Sequence, residues 1–239
     1  MTQRVVFAVA VLVALVALSA TAVVARNGGS IDDLVVNTAK PVYAEPPGSD
    51  TVGRATRSAE SPVVADPGWV DRTARRAGIP APAVRAYANA TLRTTAEDPD
   101  CGLGWTTLAG IGYVESLHGT IGGRLLGSDG RSAPPILGPV LDGNGDVAAI
   151  ASGGGWDRAE GPLQFIGSTW DTWGSDGDGD GTADRNDLDD AAWSAARYLC
   201  ADGPITGTRW GLAVFSYNHS DDYVRQVYDV ASAYATKTA

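Results

Sequence analysis

The chain has 239 residues, 44% of them apolar, and 18 Lys and Arg against 28 Asp and Glu give a net charge of −10. That supports one domain of ~170–220 residues with its own core and excludes nucleic-acid binding through a basic stripe on phosphates. Two cysteines exclude a thiolate zinc cluster and a multi-disulfide miniprotein, and 30 Gly and 13 Pro without a fixed period exclude collagen-like chains.

Arg4 precedes an uncharged run from Val5 to Ala25 that contains a small-residue site at Ala20-Thr21-Ala22. A basic start, an apolar run and an A-x-A site make a secretory signal, while ~20 apolar residues also suffice for an uncleaved membrane anchor. Residues 1–25 are therefore read as a signal peptide or an N-terminal anchor. Either way the rest of the chain lies outside the cytoplasm, secreted or envelope-associated, and touches a membrane only through an uncleaved segment 5–25. Residues 26–66, punctuated by Pro41, Pro46, Pro47, Gly48 and Pro62, read as a disordered linker. Residues 67–239 are the folded domain, expected as a monomer.

That domain reads as mainly helical. Pro67-Gly68-Trp69 opens a helix closed by Gly78. A second follows Pro82, with Val84, Tyr87, Ala88, Thr91 and Leu92 on one face, and a third runs from about Gly104 to Leu117. A short helical turn is marked by Trp170 and Trp173. Further helices span Leu188 to Ala201 and Trp210 to Tyr217, and a last one starts after Ser220, burying Val224, Val227, Tyr228, Ala231 and Tyr234. No sustained period-2 pattern occurs, which leaves room for one short hairpin between Gly122 and Ile150. Cys101 and Cys200 are expected to pair, because the compartment is oxidising.

Glu115 stands where a carboxylate is costly. Gly102 to Val114 carries no charge, and Leu108, Ile111, Glu115 and His118 follow each other at helical steps. Glu115 thus extends an apolar stripe near the C-terminal end of a buried helix. Desolvation and the negative end of the helix dipole both raise its proton affinity, and a carboxyl kept protonated near neutral pH suits a general acid.

Three segments then resemble the motifs of lytic murein transglycosylases. Glu115-Ser116-Leu117-His118-Gly119 looks like their E-S-x-x-G motif, Gly161-Pro162-Leu163-Gln164-Phe165 like G-x-x-Q-F, and Tyr217-Asn218-His219-Ser220 like Y-N-x-S. Order and spacing agree over about Pro67 to Tyr234. The chain is most similar to the membrane-bound lytic transglycosylase B type, in a secreted actinobacterial form. One departure is Gly167, where the family has Pro. The resemblance implies a lysozyme-like α+β superfamily fold, mainly α, with little or no sheet and an EF-hand-like loop. It also implies peptidoglycan glycan strands as substrate, cut at the β-1,4 MurNAc–GlcNAc bond with 1,6-anhydroMurNAc ends. Glu115 would be the single catalytic acid and then base, with no cofactor for the chemistry. Ser116 would bond near the carboxyl or the acetamido group. Gln164 and Phe165 would line the sugar site, Tyr217 would orient Glu115, and Asn218 would contact sugar or backbone. If Glu160 or Asp157 reached across the cleft as a second carboxylate, the outcome would be lysozyme-like hydrolysis instead. A non-catalytic cell-wall binding module is the other alternative.

Asp176-Gly177-Asp178-Gly179-Asp180-Gly181 matches D-x-[DN]-x-[DN]-G, with Asp184 at position nine and Asp187 at position twelve. Asp176, Asp178, Asp180, Asp184, Asp187 and the Thr182 carbonyl are the expected ligands of a structural Ca2+. Asp142-Gly143-Asn144-Gly145-Asp146 repeats the start of the pattern but has Val147 in place of the glycine, and reads as a turn.

Overall fold

The computed structural model describes residues 64–144 and 148–239. The expected leader, the linker as far as residue 63, and Gly145, Asp146 and Val147 lie outside the described residues. In chain order the helices are α1 (Pro67–Ala77), α2 (Ala81–Glu97), α3 (Trp105–Ser116), α4 (Gly167–Trp173), α5 (Leu188–Cys200), α6 (Thr208–Tyr217) and α7 (Asp221–Thr238). Among these residues no helix is long and apolar enough to cross a membrane.

Local chemistry sets the helix ends. Asp66 Oδ1 accepts the Trp69 N–H at 2.6 Å with Pro67 next to it, and Gly78 at φ 75° ends α1. Asp187 caps α5 and Ser220 caps α7. The linker expectation runs a little too far. Ala65 is buried and its N–H donates to Asn89 Oδ1 at 2.8 Å, so Val64–Asp66 already belong to the fold.

In the core, α2 packs along α5, and α3 packs along α7. α3 is buried on nearly every side, and its glycines permit close approaches. A Cβ on Gly110 would stand 2.8 Å from the Val227 carbonyl oxygen, and one on Gly112 would stand 1.9 Å from the Tyr87 hydroxyl. The Gly110–Val227 contact brings α7 against α3. Tyr223, one turn before Val227, then reaches the C-terminal end of α3.

Six short strands occupy the stretch between α3 and α4. β1 (Leu125–Leu126) pairs with β2 (Ser132–Ala133), β3 (Leu137–Val140) with β6 (Arg158–Glu160), and β4 (Ala151–Ser152) with β5 (Gly155–Trp156), all antiparallel. The single expected hairpin corresponds to β1–β2. The others escape a period-2 search because two to four residues show too few alternations, and β3–β6 carries a register shift. Cys101 and Cys200 form a disulfide, with Cα atoms 5.6 Å apart, that ties the segment before α3 to the end of α5.

One expectation about α3 fails. The stripe was extended to His118, but the helix stops at Ser116. Leu117 (φ 53°), His118 (φ 59°) and Gly119 (φ 84°) all turn left-handed, and the Leu117 and His118 N–H groups return to the Tyr113 and Gly112 carbonyls. The His118 ring swings into the core between the Tyr87 hydroxyl, 3.2 Å from Nδ1, and the Tyr234 hydroxyl, 2.8 Å from Nε2. Burial lowers its pKa to about 4, so the imidazole is neutral there.

Candidate active site

A cleft opens between the end of α3, the turn after β6, and the C-terminal end of α6. Glu115, Gln164, Phe165, Tyr217 and Asn218 all line it, together with Ala159, Tyr198 and His219. The structure thus brings together five of the six residues expected for catalysis and substrate binding, from three distant segments.

Glu115 occupies the last turn of α3 and is half-buried. Its Oε1 accepts a hydrogen bond from the Tyr223 hydroxyl at 2.6 Å. Burial raises its pKa to about 7, and the Tyr223 bond opposes that rise by favouring the carboxylate. Burial also holds the Tyr223 phenol neutral, so it remains a donor. Tyr217 therefore does not orient Glu115 by a hydrogen bond. Its hydroxyl donates to the Leu163 carbonyl at 2.9 Å, and its ring lies parallel to that of Tyr223. Sequence reasoning missed Tyr223 because the apolar stripe of the last helix was started one residue later, at Val224. An aromatic four residues before Val227 was the available signal.

Ser116 is the expected residue outside the cleft. It is fully buried, its Oγ donates to the Pro162 carbonyl at 2.5 Å, and it accepts the Gly119 N–H at 2.8 Å. It clasps the turn after α3 to the turn carrying Gln164 rather than touching the carboxyl.

The Gln164 turn is closed by reciprocal backbone bonds between Glu160 and Phe165 at 3.0 and 3.1 Å. Gln164 is left-handed at φ 52°, and its Nε2 donates to the Gly161 carbonyl at 2.8 Å. β3 passes close by, and a Cβ on Gly138 would stand 2.9 Å from Gln164 Oε1. Phe165 is buried with edge contacts to Trp170 and Tyr217 at 5.3 and 5.8 Å.

Glu160 and Asp157 do not line the cleft. Glu160 Oε2 accepts from Arg185 Nε at 3.0 Å. Asp157 is buried, accepting the Arg158 and Gly167 N–H groups at 2.8 Å each. The second of these bonds gives Gly167 a role that Pro, lacking an N–H, could not fill. Among the described residues lining the cleft, Glu115 is the acid.

In the aspartate loop the structure gathers Asp176, Asp178 and Asp190, each offering an oxygen within 4.8 Å of the others. Asp176 accepts the Gly179 and Gly181 N–H groups at 2.6 and 2.9 Å, Asp178 that of Asp180 at 3.0 Å, and Asp180 that of Thr182 at 2.7 Å. Asp180 and Thr182 remain on the exposed rim. Asp184 and Asp187 are not in the cluster. Asp184 pairs with Arg131, and Asp187 Oδ1 accepts the Asp189 N–H at 2.9 Å as the cap of α5. Asp190, three residues past the expected twelfth position, takes the place assigned to Asp187. It is 1% exposed and accepts the Gly177 and Asp184 N–H groups at 2.7 and 2.8 Å.

Residues 141–223 match the family model described as the transglycosylase SLT domain. Over those residues the chain is similar to the transglycosylase SLT domain. The match covers the Gln164 turn, the aspartate loop, Tyr217, Asn218 and Tyr223, and Glu115 lies upstream of it. The match supports peptidoglycan lytic transglycosylase activity, the enzymatic cleavage of glycosidic bonds in peptidoglycan. Among solved structures the chain is similar to the Escherichia coli lytic transglycosylase Slt35 in complex with bulgecin A, at 15% identity over 89% of this chain and 90% of that one, with a TM-score of 0.42. No curated protein sequence matches the chain.

Proposed function

We propose that the transglycosylase cuts the β-1,4 bond from MurNAc to GlcNAc and closes the muramyl residue into a 1,6-anhydro ring, with Glu115 as acid and then base. The observation that carries this is Glu115, the one acid among the described residues lining the cleft, with its pKa raised to about 7. Protonated, Glu115 gives its proton to the glycosidic oxygen as the C1–O bond breaks, and the GlcNAc side leaves as an alcohol. The substrate's 2-acetamido oxygen supports the positive charge at C1. The Glu115 carboxylate then takes the proton of the sugar's 6-hydroxyl while O6 bonds to C1, which restores the starting carboxyl. Hydrolysis would need a second carboxylate to activate water or attack C1, and Glu160 and Asp157 are engaged elsewhere. Gln164, Phe165 and Asn218 hold sugar in the cleft. The three motifs favour the membrane-bound lytic transglycosylase B type, and the basic-apolar start of the chain favours export. Mass spectrometry of digested peptidoglycan tests the reading. Anhydro-muropeptides are the expected products; reducing ends would replace it with hydrolysis, and no products with a binding module.

Tyr223→Phe separates the two tyrosines. Loss of the hydrogen bond to Glu115 removes the interaction that lowers its pKa, so the basic limb of the kcat/KM–pH profile, expected near 7, moves to higher pH. A limb that stays in place would remove Tyr223 from the mechanism.

The aspartate loop fits a hard divalent cation. Its carboxylates converge while their remaining lone pairs are taken by backbone N–H groups, the arrangement that oxygen-ligand loops need. Asp176, Asp178 and Asp190 would hold Ca2+, with Asp180 and the Thr182 carbonyl on the rim. Bound at ~100 times its Kd, the ion would stabilise the fold by about 2.7 kcal/mol. Thermal melting with Ca2+ against chelator should therefore shift by several degrees, and Asp190→Asn should abolish the shift. An unchanged transition rules the site out.

A further inference from the structure

The residues that face the cleft do not by themselves explain why the Gln164 turn keeps its shape. Gln164 is a non-glycine residue at φ 52°, a conformation that persists only where the surroundings over-determine it. Ser116, buried behind the cleft, holds the Pro162 carbonyl, and Tyr217 in the cleft wall holds the Leu163 carbonyl. The start of the turn, Glu160-Gly161, is held from behind by one residue of the aspartate loop.

That residue is Arg185. Its Nε donates to Glu160 Oε2 at 3.0 Å, with both side chains 22% exposed. Its backbone meets the next residue, since a Cβ on Gly161 would lie 1.8 Å from the Arg185 carbonyl oxygen. Gly161, at φ 77°, is the residue whose own carbonyl accepts the Gln164 amide at 2.8 Å. A continuous chain of contacts thus runs from Arg185 through Glu160 and Gly161 to the Gln164 side chain. The far end is anchored, because the neighbouring Asp184 pairs with Arg131 and Asp187 caps α5.

We propose that Arg185 is a positioning residue of the transglycosylase, setting Gln164 in the sugar site through the Glu160 ion pair and the Gly161 contact. This rests on the proposed function of the cleft and assigns Glu160 a role other than that of a second catalytic acid. An ion pair that is still in contact with water, its side chains 22% exposed, adds little to global stability. The effect is therefore on geometry, where a displacement of about 1 Å can cost up to ~100-fold in rate.

The test is the steady-state release of anhydro-muropeptides by the full chain. Arg185→Ala should lower kcat/KM about tenfold, with KM carrying most of the change and Tm moving little. Arg185→Lys, which keeps a cation for Glu160, should recover most of the loss. In a Gln164→Ala background, Arg185→Ala should cost nothing further, because its target is already gone. Glu160→Gln, a near-isosteric change, is read in the same way and stands in if Arg185→Ala fails to fold. Equal fractional losses with and without Gln164 would overturn the proposal, as would full activity of Glu160→Gln. A wild-type chain that releases no anhydro products would instead overturn the function on which it rests.

Discussion

Glu115→Gln is expected to lower kcat by ~10²–10⁴-fold, the range over which a positioned general acid acts, and to stabilise the fold at alkaline pH relative to the wild type. Both effects come from the same burial. The folded-state pKa of Glu115 is about 7 against an ordinary 4.5. Below 4.5 the folded and unfolded chains both hold the proton, and the stability contribution is complete. Between 4.5 and 7 the unfolded chain releases it while the folded chain keeps it, so stability falls. Above 7 the loss is complete. Its size is roughly 2 kcal/mol, less than the full shift implies, since the half-buried carboxyl retains some contact with water in the cleft. The amide does not titrate. Urea midpoints of the two proteins should therefore diverge in favour of the variant between pH 4 and pH 8, and muropeptide analysis should show its activity gone. A variant that stays active defeats the assignment of Glu115, and a midpoint difference independent of pH defeats its burial as the cause.

Breaking the Cys101–Cys200 bond is expected to cost about 4–5 kcal/mol, because the bond closes a loop of roughly 100 residues in the unfolded chain. The sequence separation is 99. That loop holds α3, the β ribbon, the Gln164 turn and the aspartate loop, whereas Tyr217, Asn218 and Tyr223 lie beyond it. Glu115 stands at the other end of α3, about 15 Å of helix away from the Trp105 end beside the bond. Molecules of the Cys101→Ser/Cys200→Ser variant that remain folded should therefore keep their activity. The expected result is a large drop in the urea midpoint with little change in kcat at low temperature. A midpoint untouched by the double substitution or by reductant would show that the bond contributes nothing.

Features that depend on neighbours within a turn or two of helix were legible in the sequence. The start and stop of α1 follow from Pro67 and Gly78, and the start of α7 from Ser220. The anomaly of Glu115 follows from the uncharged run before it, and the crowding of acids from Asp176 onward is written in the residues themselves. Which group each polar atom meets was decided only by the tertiary structure. Tyr223 rather than Tyr217 holds Glu115 because Gly110 lets α7 come against α3, a contact between residues far apart in the chain. Asp190 replaces Asp187 in the acidic cluster because Asp187 is consumed in capping α5. Glu160 is drawn to Arg185 rather than to the cleft because the Gly161 backbone packs on the Arg185 carbonyl. Helical periodicity and capping act within about four residues, so they can be read in one dimension. A hydrogen-bond partner is chosen by distance in space, and packing alone sets that distance.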